Sequence, residues 1–147
     1  MATASSSIHL STRGSNDVHN LTGHVAEAVG RSRITSGVAT VFVPGSTAGI
    51  TTIEFEPGVV NDLARAVERL VPSSLSYEHD ARWGDGNGFS HVRASLLGPS
   101  LSVPVIRGVL QLGTWQQIIL IDFDNRPRER EILVQIVGDS SSGDASS

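Results

Sequence analysis

The period of apolar and polar positions changes several times along the chain, and each change marks an element. Ile8 and Leu10 alternate with polar neighbours, which predicts a short opening strand, and the turn-rich stretch from Ser11 to Asp17 ends it. Leu21, Val25, Ala28 and Val29 then recur at helical spacing. Thr22 is the expected N-cap, and Gly30 or the basic run Arg31-Ser32-Arg33 the expected end. Gly37 to Val43 is β-branched and apolar and stops at Pro44. A Gly-Ser-Thr-Ala-Gly loop, residues 45–49, leads into a second strand from Ile50 to Phe55, with Ile53 and Phe55 on one face and Thr52, Glu54 and Glu56 on the other. Pro57 and Gly58 break it, and Leu63, Val67 and Leu70 predict a helix from about Val59 to Leu70, ended by Pro72.

From Ser73 to Gly88 there is no periodicity, only a loop dense in Tyr77, Glu78, His79, Asp80, Trp83, Asp85 and Asn87. A loop of that length in a compact domain is usually functional. Four strand-like runs follow: His91 to Leu97, Leu101 to Val105, Gln116 to Phe123 and Glu131 to Val137. Gly98-Pro99 and Gly108 form turns, and Val109 to Leu112 a short extra strand. Two helices among many strands, without βαβ alternation, imply an α+β domain in which helices cover antiparallel or mixed sheets, sandwich-like. The domain is expected over residues 1–138, with residues 139–147 a low-complexity Ser-rich tail.

Composition narrows the chemistry. With 147 residues the chain suits one domain with a core of its own, and without cysteine it has no thiol nucleophile, disulfide or thiolate metal ligand. All 11 basic residues are arginine, so a Schiff-base lysine and a P-loop lysine are excluded. A formal charge of -4 and the lack of a basic run disfavour a nucleic-acid partner. No apolar run is long enough for a membrane span, and the start lacks the order of a signal peptide, so a cytoplasmic location is the default expectation.

Any metal must therefore be held by histidine, carboxylate or water. The strongest candidates are His79 and His91, with Asp85 between them, although lone histidines also serve as plain structural residues. On a strand starting near residue 89, His91, Arg93 and Ser95 would line one surface, and Phe89 stands where a His-x-His pair would need its first member. Glu54 and Glu56 form either a cation or base site or solvated edge charges. Asp122 and Asp124 read as strand-end and turn residues. The loop at 45–49 is either an oxyanion cradle or a connecting turn, and the Gly84 to Gly88 run is equally open. Trp115 reads as core or subunit interface rather than a stacking platform.

Val41 to Glu54, Tyr77 to Asp80, Asp85 to Ser100, Leu112 to Gln117 and Asp122 to Asp124 together resemble, in order and spacing, the YjbQ-like family, whose members carry the label secondary thiamine-phosphate synthase. The resemblance runs from about Thr22 to Gly138. It implies a homotrimer with a histidine-lined pocket for a divalent metal, Zn or Mg, and for a small phosphorylated molecule near the subunit boundary. It further implies that His79 and His91 hold the cation, with Asp85, a water or a neighbouring subunit replacing the ligand lost at Phe89. Ser46, Thr47, Asn87 and Arg93 would meet phosphate oxygens, and Glu54 would orient a ligand or water. The implied reaction joins a pyrimidine methyl pyrophosphate to a thiazole phosphate with release of pyrophosphate. The alternatives are a non-catalytic trimeric protein that binds a metal or phospho-ligand, and a metal-assisted phosphate-ester hydrolase.

Overall fold

A computed structural model describes residues 1–140. In chain order they form β1 (Ala2–Thr12), β2 (Asp17–Asn20), α1 (Thr22–Ser32), β3 (Ile34–Phe42), β4 (Ala48–Ile53), α2 (Pro57–Leu70), α3 (Glu78–Trp83), α4 (Gly88–Leu97), β5 (Ser100–Ile106), β6 (Val109–Leu110), β7 (Gln117–Asp122) and β8 (Arg128–Ser140). A larger sheet runs β1-β8-β3-β5-β6 and a smaller one β2-β7-β4, with every neighbouring pair antiparallel.

Side-chain alternation explains the layering. Ile132, Val134 and Ile136 of β8 are buried, as are Ala39 and Val41 of β3 and Val103 and Val105 of β5. All point to one side of the larger sheet. They meet Ala48 and Ile50 of β4 and Ile118 and Leu120 of β7, while Leu21, Val25, Ala28 and Val29 of α1 complete the same core. Ile121 and Phe123 project from the opposite face of the smaller sheet and pack with Ala94 and Leu97 of α4 and Leu63 and Val67 of α2. The smaller sheet is thus covered on both faces, which is why β7 reads as an unbroken apolar run. No helix among the described residues is long and apolar enough to cross a membrane.

The expected α+β layering is present, with four helices among the described residues rather than two. The segment expected as loop and then strand, residues 73–97, holds both extra helices. In α4 the buried positions are Gly88, Ser90, Arg93 and Ala94, spaced as on a helix but built from small or charged residues, so the 3.6-residue period is invisible to a search for large apolar side chains. Small residues are required there. A Cβ on Gly88 would lie 2.5 Å from Tyr77 Cβ, and one on Gly49 of β4 would lie 2.7 Å from Leu97 Cδ2.

Other boundaries also move. β1 is far longer than the Ile8–Leu10 alternation suggests, because its Ala, Ser and Thr residues pair along the whole of β8 without adding apolar signal. β8 continues through Asp139 and Ser140, which pair with β3, so the expected tail begins inside a strand; residues 141–147 lie outside the described residues. Thr22 is the first residue of α1, not its cap, and its hydroxyl accepts a hydrogen bond from Ile118 N at 2.8 Å. β4 ends at Ile53, and Glu56 caps α2 by accepting from Gly58 N and Val59 N, with Pro57 opening the helix. Trp115 is exposed, not core.

The seating of α4 on β4 is testable. Gly49→Ala should destabilise the protein by about 1–3 kcal/mol in urea unfolding, because the added methyl has no space against Leu97 and the Gly98 carbonyl.

Candidate functional site

The site is built outward from the residues that end β7. Because successive residues of a strand face opposite ways, Phe123 enters the cluster under α2 and α4 while Asp122 and Asp124 turn the other way, both fully buried. Isolated buried carboxylates are costly, so each must find charge and donors. Asp122 receives Arg130 Nε at 2.7 Å, Arg130 Nη2 at 2.9 Å and Thr12 Oγ1 at 2.7 Å. Asp124 receives Arg128 Nε at 2.8 Å, Thr47 Oγ1 at 2.9 Å and the backbone N–H of Asn125 at 2.8 Å. Burial pushes the Asp124 carboxyl upward, but the hydrogen bonds from Thr47, Arg128, Asn125 and Asn87 outweigh it and hold the group below the usual aspartate range.

Two loops and a helix are hung on this base. Thr47 both donates to Asp124 and accepts from Arg130 Nη2 at 2.7 Å, which fixes the loop between β3 and β4. The Asn87 carboxamide lies between two carboxylates, its nitrogen donating to Asp124 Oδ1 at 3.3 Å in one orientation and to Asp85 Oδ1 at 3.1 Å in the other. Asn125 Nδ2 donates to the Asp85 carbonyl at 3.0 Å, and Gly84 and Gly86 hold left-handed φ values of 73° and 70° that let the chain turn tightly between α3 and α4.

His79 on α3 and His91 on α4 then face each other, with ring centroids 4.3 Å apart and planes inclined by 38°. His79 Nδ1 is buried and has no hydrogen-bond partner among the described residues; Asp85 Oδ1 lies 3.4 Å away and Asp80 Oδ1 3.7 Å away. One ligand atom from each of His79, Asp80 and Asp85 falls within 4.8 Å of the other two. Burial, followed by the neighbouring His79, pushes the His91 pKa below the ordinary histidine value, against an opposite pull from Asp124 and Asp85, so the ring favours its neutral form. The cavity in front of these groups measures about 370 Å³ and opens past Trp83 and Ser46.

The structure therefore brings His79, His91, Asp85, Asn87, Ser46 and Thr47 to one cavity. It leaves two expected members outside. Glu54 is exposed just beyond β4 and does not line the cavity. Arg93 does not share a face with His91, because residues two apart on a helix diverge by roughly 200°. It is buried on the far side of α4, where Nε and Nη2 donate to the Val71 carbonyl at 3.1 and 2.8 Å, Nη1 to Asn16 Oδ1 at 3.2 Å, and Nη2 also to Glu68. Phe89 turns the same way, its ring 4.7 Å from the Arg93 guanidinium carbon, so it is packing rather than a vacant ligand position. Sequence reasoning placed Asp80 and Trp83 in the functional loop without assigning them a role, and missed Arg128 and Arg130. The available signal was the pair of period-2 charge patterns, Asp122-Phe-Asp124 and Arg128-Glu-Arg130, facing each other across one turn.

Two antiparallel sheets packed face to face, with helices over the smaller one and a histidine–carboxylate cavity at the edge, define an architecture already seen in solved structures. A YbjQ-like protein from Sulfolobus solfataricus P2 superposes with a TM-score of 0.90 at 33% identity, covering 94% of this chain and 99% of that one. A YjbQ/UPF0047 family protein from Clostridium acetobutylicum superposes with a TM-score of 0.83 at 35% identity, covering 90% and 99%. UPF0047 protein MJ1081 of Methanocaldococcus jannaschii is 34% identical over 131 residues, 88% of this chain and 91% of that protein. The family model described as UPF0047 protein YjbQ-like matches residues 6–139, and the chain belongs to that family.

Two measurements check this geometry. Asp122→Asn leaves the buried Arg130 with only the more distant Asp124, 3.9 Å away, as counter-charge and should cost about 3 kcal/mol in chemical denaturation. His91, with its folded pKa depressed, takes up a proton more readily when unfolded, so its contribution to stability is present above about pH 6.5 and is lost as pH falls toward the folded value. Unfolding midpoints measured at about pH 7.5 and pH 5.5 should therefore converge in His91→Gln relative to the parent.

Proposed function

We propose that the His79–His91 cavity holds a divalent cation, Zn²⁺ or Mg²⁺, beside a small phosphorylated molecule, and that it serves the coupling associated with the family resemblance, the joining of a pyrimidine methyl pyrophosphate to a thiazole phosphate. One observation carries the reading. His79 Nδ1, a buried ring nitrogen with no partner among the described residues, faces Asp85 and Asp80 at ion-pairing distance while a neutral-leaning imidazole stands against it. A buried orphan nitrogen beside two carboxylates is the donor set that a hard or borderline cation satisfies.

The reaction suits such a site. The thiazole nitrogen forms a C–N bond to the pyrimidine methylene, the C–O bond to pyrophosphate breaks, and no proton has to be removed. A strong base is therefore not needed, which fits an exposed Glu54 standing apart. What is needed is compensation of the charge gathering on the leaving pyrophosphate, and that is the chemistry a bound cation supplies. In this reading His79, Asp85 and Asp80 hold the ion, with His91 kept neutral at its side. The Ser46 hydroxyl reaches the ligand, and Thr47 and Asn87 stiffen the wall behind it. Assembly as a homotrimer is part of the proposal. It is supported by the outer face of the larger sheet, where Val38, Phe42, Leu133 and Val137 are exposed around Thr40 and Gln135 without an intervening charge.

Elemental analysis of the purified protein should find a divalent metal that His79→Ala and His91→Ala lose at least tenfold, whereas Phe89→His gains none because its side chain lies on the far side of α4. Full metal in both alanine variants removes the site. With both substrates and Mg²⁺ present, thiamine phosphate should form; metal and ligand binding without that product leaves a binding protein, and release of phosphate from generic esters makes it a hydrolase.

A further inference from the structure

Two arginines of this chain are buried deeply, and they use their nitrogens differently. Arg93 engages Nε, Nη1 and Nη2 within the protein, as a purely structural brace does. Arg130, 9% exposed, commits Nε and Nη2 to Asp122 and Thr47, but Nη1 makes no hydrogen bond to any described residue. That nitrogen keeps solvent contact at the cavity wall, so a guanidinium held from behind by buried partners presents one donor free to a ligand.

The loop across from it is shaped around that nitrogen. Gly45 holds φ at 128°, a backbone state that side chains rarely adopt, and a Cβ placed there would come within 3.0 Å of Arg130 Nη1. Any larger residue at 45 would cover the donor. Next to it, Arg128 gives only Nε to Asp124 and is about one-third exposed, so its two terminal nitrogens also stand free at the cavity wall. The Ser46 hydroxyl, exposed and without a partner among the described residues, lines the same wall. Three sets of donors thus line the same cavity as His79 and His91.

We infer that Arg130, Arg128 and Ser46 form the subsite that receives the phosphate or pyrophosphate group of the ligand. The planar arginine fork matches phosphate oxygens, and anchoring each guanidinium on a buried carboxylate places the free nitrogens in advance of binding. Asp122 and Asp124 also balance the two positive charges. The subsite therefore grips a polyanion weakly when alone and tightly when a cation sits beside His79 in the same cavity, so anion and metal strengthen each other. This rests on the reading of the cavity as a phospho-ligand pocket and adds the residues that recognise the ligand.

The test is calorimetric titration of inorganic pyrophosphate into the full chain, with and without Mg²⁺, for the parent, Arg130→Lys, Arg128→Gln, Ser46→Ala and the remote surface variant Arg31→Gln. Binding should be stronger with Mg²⁺ and should fall roughly tenfold to a hundredfold in Arg128→Gln and in Arg130→Lys, a few-fold in Ser46→Ala, and not at all in Arg31→Gln. Arg130→Lys keeps a cation against Asp122; if it nevertheless unfolds, Arg128→Gln, which gives up one hydrogen bond at a partly exposed position, decides. Pyrophosphate binding that survives both arginine substitutions in folded protein overturns the inference and leaves the pocket reading standing. Absence of pyrophosphate binding from a parent that does bind metal overturns the inference as well, and absence of both removes the pocket reading with it.

Discussion

Two carboxylates with no solvent contact, meeting two guanidinium groups across a single turn, hold together almost everything that surrounds the cavity. Asp122 reaches β1 through Thr12 and β8 through Arg130. Asp124 reaches the loop after β3 through Thr47 and the start of β8 through Arg128. The backbone of the same segment accepts from Ser15 N and Asn16 N of the β1–β2 connection and, at Phe123, from the Ser90 hydroxyl of α4. Burying two carboxylates and most of Arg130 is expensive, and the cost is offset because each carboxylate meets a guanidinium and further hydrogen-bond donors. Loss of either aspartate therefore releases several loops at once rather than a single contact.

The helix α4 shows how one short element serves both structure and site. Its inward side presents Ser90 and Ala94 to the end of β7, and Arg93 ties it to the last turn of α2 and to Asn16. Its other side carries His91 to the ring of His79. An imidazole standing on a helix fixed in this way has little freedom to move, which is the condition for a preorganised ligand or acid–base group.

How much of this was legible in the sequence depended on whether burial was accomplished by large apolar residues. The strands built from Val, Ile and Leu and the helices carrying Leu21 to Val29 and Leu63 to Leu70 announced themselves by period. β1, made mostly of Ala, Ser and Thr, showed only its Ile8 and Leu10. α4 was misread as a strand because its buried side is Gly, Ser, Arg and Ala, and the misreading carried the face shared by His91, Arg93 and Ser95 with it. The histidines, Asp85, Asn87 and the small-residue loop were recognisable by residue type and gather as expected. Arg128 and Arg130 were not, since a basic residue at a strand start normally signifies solvent; their spacing matches that of Asp122 and Asp124, but the fold is what brings the two pairs into contact.

β8 is the last of the described strands in chain order, yet it lies between the first and the third, pairing with β1 along one edge and β3 along the other. The larger sheet therefore has no middle until that strand is made. During synthesis, β1 and β3 must wait with their inner edges open while everything from β4 to β7 emerges. Closing them demands contacts between the most distant parts of the chain, the kind of ordering that slows folding. Acquisition of the native state is in this way tied to a late event, and a ribosome stalled before Arg128 would display two unsatisfied strand edges to its surroundings.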